Sequence, residues 1–443
     1  MALQQGAMNT DQNSELGRVR VKRPERHQME WRPIALDQCL PSDHRVRVVW
    51  AYVDSLDLSA LYSQIRAVEG SAGRDAVDPK ILLALWMFAT IEGISSARQL
   101  ARLCERDLAY LWICGGVGVN YHLLSDFRVD QGAFLDQLLT NTIATLMHQG
   151  LVTLEVVAQD GMRVRAHAGS SSFRRKKTLQ QCQEAAREQV QKLREEGEQE
   201  ADQNASNARR EAARQRAARE REARIEKALE ELDKLQTQKE KRNKPTPEED
   251  SPKAARSSTT DPEARKMKMA DGGYRPAYNV QFATDGQTRM IVGVEVTNSG
   301  SDRGQMPPMH QEVSQDYGKT PDSYLVDCGF ATKEDITTIE RRGSQILAPV
   351  HAEAAMRKRG VDPFDRKQGD TDEMLTFRQR MATEPAKQLY KQRPSIAEFP
   401  NAECRNRGLS QFRVRGLAKV KTVALWHAIT FNFMRMIHLG CIG

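Results

Sequence analysis

The sequence predicts an α/β fold: a mixed sheet with flanking helices, preceded by an all-α region and interrupted by a long helical insertion. Three observations predict it. A short run of β-branched residues ending in an acid, Leu154–Gly161, follows more than a hundred residues of helical pattern. From Arg174 to Lys244 the composition shifts to Glu, Gln, Lys, Arg and Ala, with Gly197 the single glycine and no proline. Strand signals then resume at Tyr278 and alternate with helices to the end.

The whole chain sets the bounds. At 443 residues it is too long for one core, so two to three domains are expected. Lys and Arg number 66 against 59 Asp and Glu, a net charge of +7 that suits a polyanionic partner without requiring one. The seven cysteines are scattered without a Cys-x-x-Cys pair, which fits a reducing cytosol and argues against structural zinc. Residues 1–30 carry no secretory pattern, and the longest apolar run, Ile81–Ala89, falls far short of the ~20 residues of a membrane span. A cytoplasmic protein with a core helix at 81–89 is expected.

In chain order, residues 1–30 read as a flexible basic arm carrying Arg18, Arg20, Lys22, Arg23 and Arg26. Residues 31–150 read as a helical N-terminal domain. Pro79 opens one helix, and the serines at 95–96 cap another. After a glycine-rich turn at 115–118, Ser125 or Asp126 is expected to cap a last helix through Leu135, Leu139, Ile143 and Leu146. Exposed Arg98, Arg102, Arg106 and Arg128 on short helices suggest a helix-turn-helix-like DNA reader; a plain helical bundle is the other reading.

Residues 151–177 begin the sheet domain, with Asp160 placed at the exit of its strand. Residues 178–260 are an insertion with a linker at its end. Ile225, Ala228, Leu232 and Leu235 keep the 3-4 spacing of a coiled-coil seam. One unbroken helix over 178–241 would be roughly 95 Å long at 1.5 Å per residue. An insertion must return to its origin, so a hairpin turning near 202–207 is expected, followed by a proline-containing linker over 245–262. Residues 261–443 complete the sheet domain. Tyr278–Gly286 and Met290–Thr297 form a hairpin joined through Gln287 and Thr288. A helix near 306–316, the strand Tyr324–Asp327, a helix near 333–342 and the strand Gln345–Val350 follow. Residues 351–385 read as a surface excursion, and helices over 386–399 and 416–439 close the chain. Three antiparallel-type strands, then helix, strand, helix, strand is the order of ribonuclease H-like folds.

Asp160, Asp327 and Glu398 each stand on a different rigid element, as a shared site for hard cations requires. Taken together, Asp160-Gly161, Gly273–Gln281, Asp327-Cys328-Gly329-Phe330, Tyr390-x-x-Arg393 with Glu398, and Arg413–Val420 resemble DDE transposases of the insertion-sequence type. Tyr121–Arg128 resembles a signature in the helical N-terminal domain of the same proteins.

That resemblance implies that Asp160, Asp327 and Glu398 are catalytic acids holding two Mg²⁺ or Mn²⁺ ions. It implies that Tyr390 and Arg393 are the tyrosine and arginine of the related Tyr-Arg-Glu-Lys signature, with Arg405 where that signature has lysine. The Arg393–Glu398 gap is one residue longer than the commonest form, and Glu403 is the rival third acid. The implied activity is metal-dependent cleavage of element-end DNA followed by strand transfer of the 3′-hydroxyl into target DNA, by a homodimer or higher oligomer on double-stranded DNA at the nucleoid. A catalytically inactive DNA-binding descendant and a free nuclease of ribonuclease H type are the competing readings; a coiled-coil interaction protein would leave the three acids without a purpose.

Overall fold

In the computed structural model the described residues are 33–67, 75–199, 205–241 and 254–442. The chain divides into two compact units, Met1–Pro41 and Ser42–Gly443. The described residues of the first hold one 3-10 turn, Leu36–Cys39. The basic arm over 1–30 lies outside the described residues.

The second unit opens with α1 (Arg45–Asp54), α2 (Ser59–Tyr62), α3 (Pro79–Ile91), α4 (Ala97–Arg106), α5 (Leu108–Cys114), α6 (Tyr121–Asp130) and α7 (Gly132–His148). Helix α3 starts at Pro79, with Asp78 accepting from Lys80 N at 2.8 Å. It is apolar all round and therefore buried on every side. Asn120 caps α6 through Leu123 N, so Ser125 and Asp126 lie inside that helix and do not cap α7. Gly132 is the first residue of α7, and a Cβ there would stand 2.8 Å from Thr422 Oγ1.

The remainder runs β1 (Val156–Arg165), β2 (Phe173–Arg174), α8 (Lys176–Gln199), α9 (Ala205–Lys241), β3 (Ser257–Ser258), β4 (Arg265–Lys268), β5 (Tyr274–Asp285), β6 (Ile291–Thr297), α10 (Met306–Tyr317), β7 (Ser323–Leu325), α11 (Lys333–Arg341), β8 (Gln345–Leu347), α12 (Glu353–Lys358), α13 (Asp372–Ala382), α14 (Glu384–Tyr390), a π-helical turn at Pro394–Glu398, α15 (Phe399–Asn406) and α16 (Leu417–His438). The mixed sheet has the order β4-β5-β1-β7-β8, with β6 also paired to β5. Strand β5 is antiparallel to β1, β4 and β6, while β7 runs parallel to both β1 and β8.

Four expectations change. Strand β1 does not end at Asp160: it continues unbroken to Arg165, paired with β5 throughout. The helices before residue 150 do not stand apart. They share a core with α16, where Trp426 Nε1 donates to Arg128 O at 3.0 Å and Tyr52 packs on Phe433 with ring centroids 5.0 Å apart. On its other side α16 clasps the sheet, Asn432 bonding both the N–H and the carbonyl of Ile291. The stretch 351–385 is no mere surface excursion, since α13 buries Met374, Phe377 and Met381, and Arg378 pairs with buried Asp370 at 2.8 Å. The last part of the expected linker is packed too, with Ser257, Ser258 and Asp261 fully buried.

Helices α8 and α9 run antiparallel, as Arg221 with Gln189 and Gln215 with the Leu193 carbonyl indicate. Leu179, Ala228 and Leu232 close their base. The connection between them falls at 200–204, outside the described residues. Among the described residues, no helix is long and apolar enough to cross a membrane.

Candidate active site

Strand register brings the first two acids together. In the parallel pair β1/β7, Ala158 stands opposite Leu325. Asp160 and Asp327 each lie two residues beyond that couple, and side chains two apart in extended chain share a face. Neighbouring strands are about 4.8 Å apart, and Asp327 comes near enough for its charge to act on the Asp160 carboxyl. Asp327 is half-buried, and its Oδ1 accepts from Gly329 N at 2.7 Å, which fixes the turn that follows.

The third acid arrives on the π-helical turn. A π turn bonds residue i to i+5, so the residue five on stands above the first, where an α-helix puts the residue four on. Glu398 follows Arg393 by five residues. The turn thus absorbs the extra residue of this spacing, and the Arg393 guanidinium reaches Glu398 at 3.5 Å and Asp160 at 2.9 Å. Arg393 is buried, whereas the Glu398 side chain is 60% exposed. The other Asp160 oxygen accepts from Asn401 Nδ2 at 2.9 Å. Half-buried Tyr390 lies in the same field: burial raises its pKa, Arg393 lowers it, and Asp327 and Glu398 raise it.

The electrostatics follow from the crowding. Burial pushes the Asp160 carboxyl up to about 6; Arg393 pulls it down, and Asp327 and Glu398 push it up. Such a set of carboxylates, all hard oxygen donors, fits a divalent ion of the Mg²⁺ kind in chemistry and charge. As they stand, no group of three or more His, Cys, Asp or Glu side chains among the described residues is arranged to hold a metal ion. Arg393 instead supplies the positive charge between Asp160 and Glu398.

The other sequence candidates lie apart from this cluster. Glu403 pairs with Arg407 at 3.2 Å, one turn along α15. Arg405 is exposed on the same helix. Arg98 and Arg102 are exposed on α4, Arg98 stacked over Tyr121 at 5.1 Å. Arg128 is a correction: it is only 6% exposed, donates to Ser95 O at 2.6 Å and lies 4.8 Å over Trp86. Burial holds its pKa down at about 10, and its guanidinium serves the core of the helical region.

Two features escaped the sequence reading. Asn401 follows Glu398 by three residues, the spacing that keeps side chains on one helical face, and that was its only signal. The second is the polar cluster behind β1. Asp302 accepts from Asn279 Nδ2 at 2.7 Å and from Gln281 Nε2 at 2.9 Å, and its other oxygen faces Arg163 at 3.6 Å. A Cβ on Gly161 would stand 2.5 Å from Gln281 Nε2 and closer still to Asp302. The glycine after Asp160 is therefore needed for close packing and marks no turn.

Comparison with known proteins gives two matches. A family model described as a transposase DDE domain matches residues 245–433, and one described as a transposase domain (DUF772) matches residues 34–130. Together they take in well over half of the chain, including Asp327 and Glu398; Asp160 lies in the stretch between them. No curated protein and no solved structure matches.

Proposed function

Since the chain belongs to the DDE transposases of the insertion-sequence type, we propose that it cuts DNA at the ends of its element and joins the freed 3′-hydroxyl to target DNA, with Asp160, Asp327 and Glu398 as its metal-binding acids. The observation that carries this reading is the double contact of Arg393 with Asp160 and Glu398 across the π turn. Two Mg²⁺ or Mn²⁺ ions held by the three acids would stabilise charge on the attacking and departing oxygens of phosphoryl transfer. Asn401 fixes one Asp160 oxygen and so keeps the carboxylate oriented. Arg393 is the neutralising partner of the acids in this arrangement. With a cation bound in that role, its planar fork would be free for a DNA phosphate. Tyr390 offers a hydroxyl beside it, and exposed Arg405 a further charge for the strand. No side chain attacks phosphorus; water and then the 3′-hydroxyl are the nucleophiles.

The same reading makes the sheet ribonuclease H-like, supported by antiparallel β6-β5-β1 continuing into parallel β7 and β8. It assigns DNA contact to the exposed Arg98 and Arg102 face of α4, and a homodimer or higher oligomer to the assembly on DNA. The test is Mg²⁺-dependent nicking of duplex DNA carrying the element ends. Wild type should nick, while Asp160→Asn, Asp327→Asn and Glu398→Gln should bind the DNA and fold but not cut. Cutting retained in two of the three would overturn the assignment.

A further inference from the structure

A cleft of about 740 Å³ opens beyond the far end of β1, where α6, α9, residues 260–263 and the stretch 413–419 meet. Six arginines and lysines line it, buried Arg128 with Arg224, Lys227, Arg413, Arg415 and Lys419, and His167 stands among them. Its carboxylates are largely committed. Asp261 accepts from Tyr278 Oη at 2.7 Å and from Gly416 N at 3.2 Å. Glu263 accepts from Leu417 N at 2.9 Å, capping α16, and its second oxygen pairs with Lys227 at 3.3 Å. Glu220 faces Arg224 at 3.8 Å, and Asp126 is exposed. Arg413, Arg415 and Lys419 are exposed and have no ion-pair partner among the described residues; Arg415 donates only to the His167 carbonyl, at 3.4 Å.

The basic groups feel one another. Burial lowers the His167 pKa, and Arg415 and Arg413 lower it further. Burial and then Arg415 do the same to Arg224. A surplus of crowded positive charge in a concave site suits a polyanion. Strand geometry supplies the position. From Asp160 to Arg165 the chain is extended at about 3.4 Å per residue, so Arg165 lies about 17 Å from Asp160 and His167 farther still, about the rise of five to seven base pairs.

We propose that this cleft grips backbone phosphates of the same duplex whose scissile phosphodiester lies at Asp160, with Arg413, Arg415 and Lys419 as the contacts and the α8–α9 hairpin as one wall. The proposal rests on the transposase reading and gives the hairpin a role in it.

The experiment is binding of the full chain to a long random-sequence duplex, read by fluorescence anisotropy as salt is varied. Each lost phosphate contact lowers the log–log salt slope by about 0.9. The double variant R413Q/R415Q should lose about 2 from that slope, and R413Q alone about 1, both with unchanged Tm. The exposed pair K358Q/R359Q on and just after α12 should leave the slope as in wild type. On DNA that wild type nicks, ethylating phosphates about five to seven positions from the nick should weaken binding by wild type and leave the already weaker binding of the double variant unchanged. A wild-type slope in both arginine variants overturns the cleft, as does a change confined to self-association. If the slopes fall but wild type never nicks, the proposed function fails and the cleft stands. If wild type nicks and the slopes ignore both arginines, the cleft alone fails.

Discussion

Strand β1 carries opposite charge at two places. At its middle, Asp160 faces Asp327 and Glu398; past its end, His167 faces Arg413 and Arg415. Each place holds its titratable member toward the neutral form, by burial first and like charge second: Asp160 is pushed up to about 6, His167 is pushed down. The means of tolerating that crowding differ. The acid cluster keeps its own cation, Arg393, buried against Asp160 at 2.9 Å. The basic cleft leaves Arg413 and Arg415 in solvent and turns Asp261 and Glu263 to helix α16 and other partners. A buried, internally compensated charge is part of the fold, whereas an exposed, uncompensated one is available to a ligand.

That difference sets a scale of outcomes. Arg393→Gln should have the largest effect, because it leaves the largely buried Asp160 carboxylate without its ion pair. We expect a loss of about 3 kcal/mol at neutral pH by urea unfolding, and nicking near background. In this variant the Asp160 pKa rises above its present value of about 6, since Arg393 pulls it down. The penalty should therefore fade as pH falls through that range and the carboxyl is protonated. R413Q/R415Q in the cleft should stay within about 0.5 kcal/mol of wild type in the same measurement.

Gly161→Ala comes next. It forces Asp302 and Gln281 away from β1 and should cost about 2 kcal/mol, with slower nicking because the strand holding Asp160 shifts. Between neutrality and pH 5.5, acid sensitivity should arise chiefly at two buried histidines, with a lesser share from His167 in the cleft. Burial holds His310 at about 4 and His427 at about 3, so both stay neutral in the folded chain while the unfolded chain takes up protons below pH 6.5. Their stability is complete above neutrality and should fall by about 1.4 kcal/mol per histidine by pH 5.5. Asp160 acts in the opposite sense, so the comparison to make is wild type with His427→Leu, whose pH profile should be flatter by one such step. Glu403→Gln is the smallest: losing its pair with Arg407 should cost less than about 0.5 kcal/mol and leave nicking intact.

The periodic elements were legible. The β5–β6 hairpin, the Pro79 helix and the antiparallel insertion follow from patterns that local physics enforces. Positions decided by distant partners were not. Gly161 read as a strand stop because glycine marks turns, yet Asp302 and Gln281, far along the chain, require it inside a strand. Arg128 read as exposed because arginine seldom is buried, yet Trp86 and the Ser95 carbonyl enclose it. The odd Arg393–Glu398 spacing was visible, but its resolution by a π turn was not, because α-helical spacing alone sets the two side chains on different faces. The N-terminal helices looked like a separate domain because nothing local announces that α16, some three hundred residues on, completes their core.

The central claim is that Asp160, Asp327 and Glu398 act as one cation site. The most direct measurement is calorimetric titration of the full chain with Mn²⁺, wild type against Asp160→Asn, Asp327→Asn and Glu398→Gln. Each variant should bind at least about tenfold more weakly, or about 1.4 kcal/mol. Wild-type affinity in any two of them would contradict the claim.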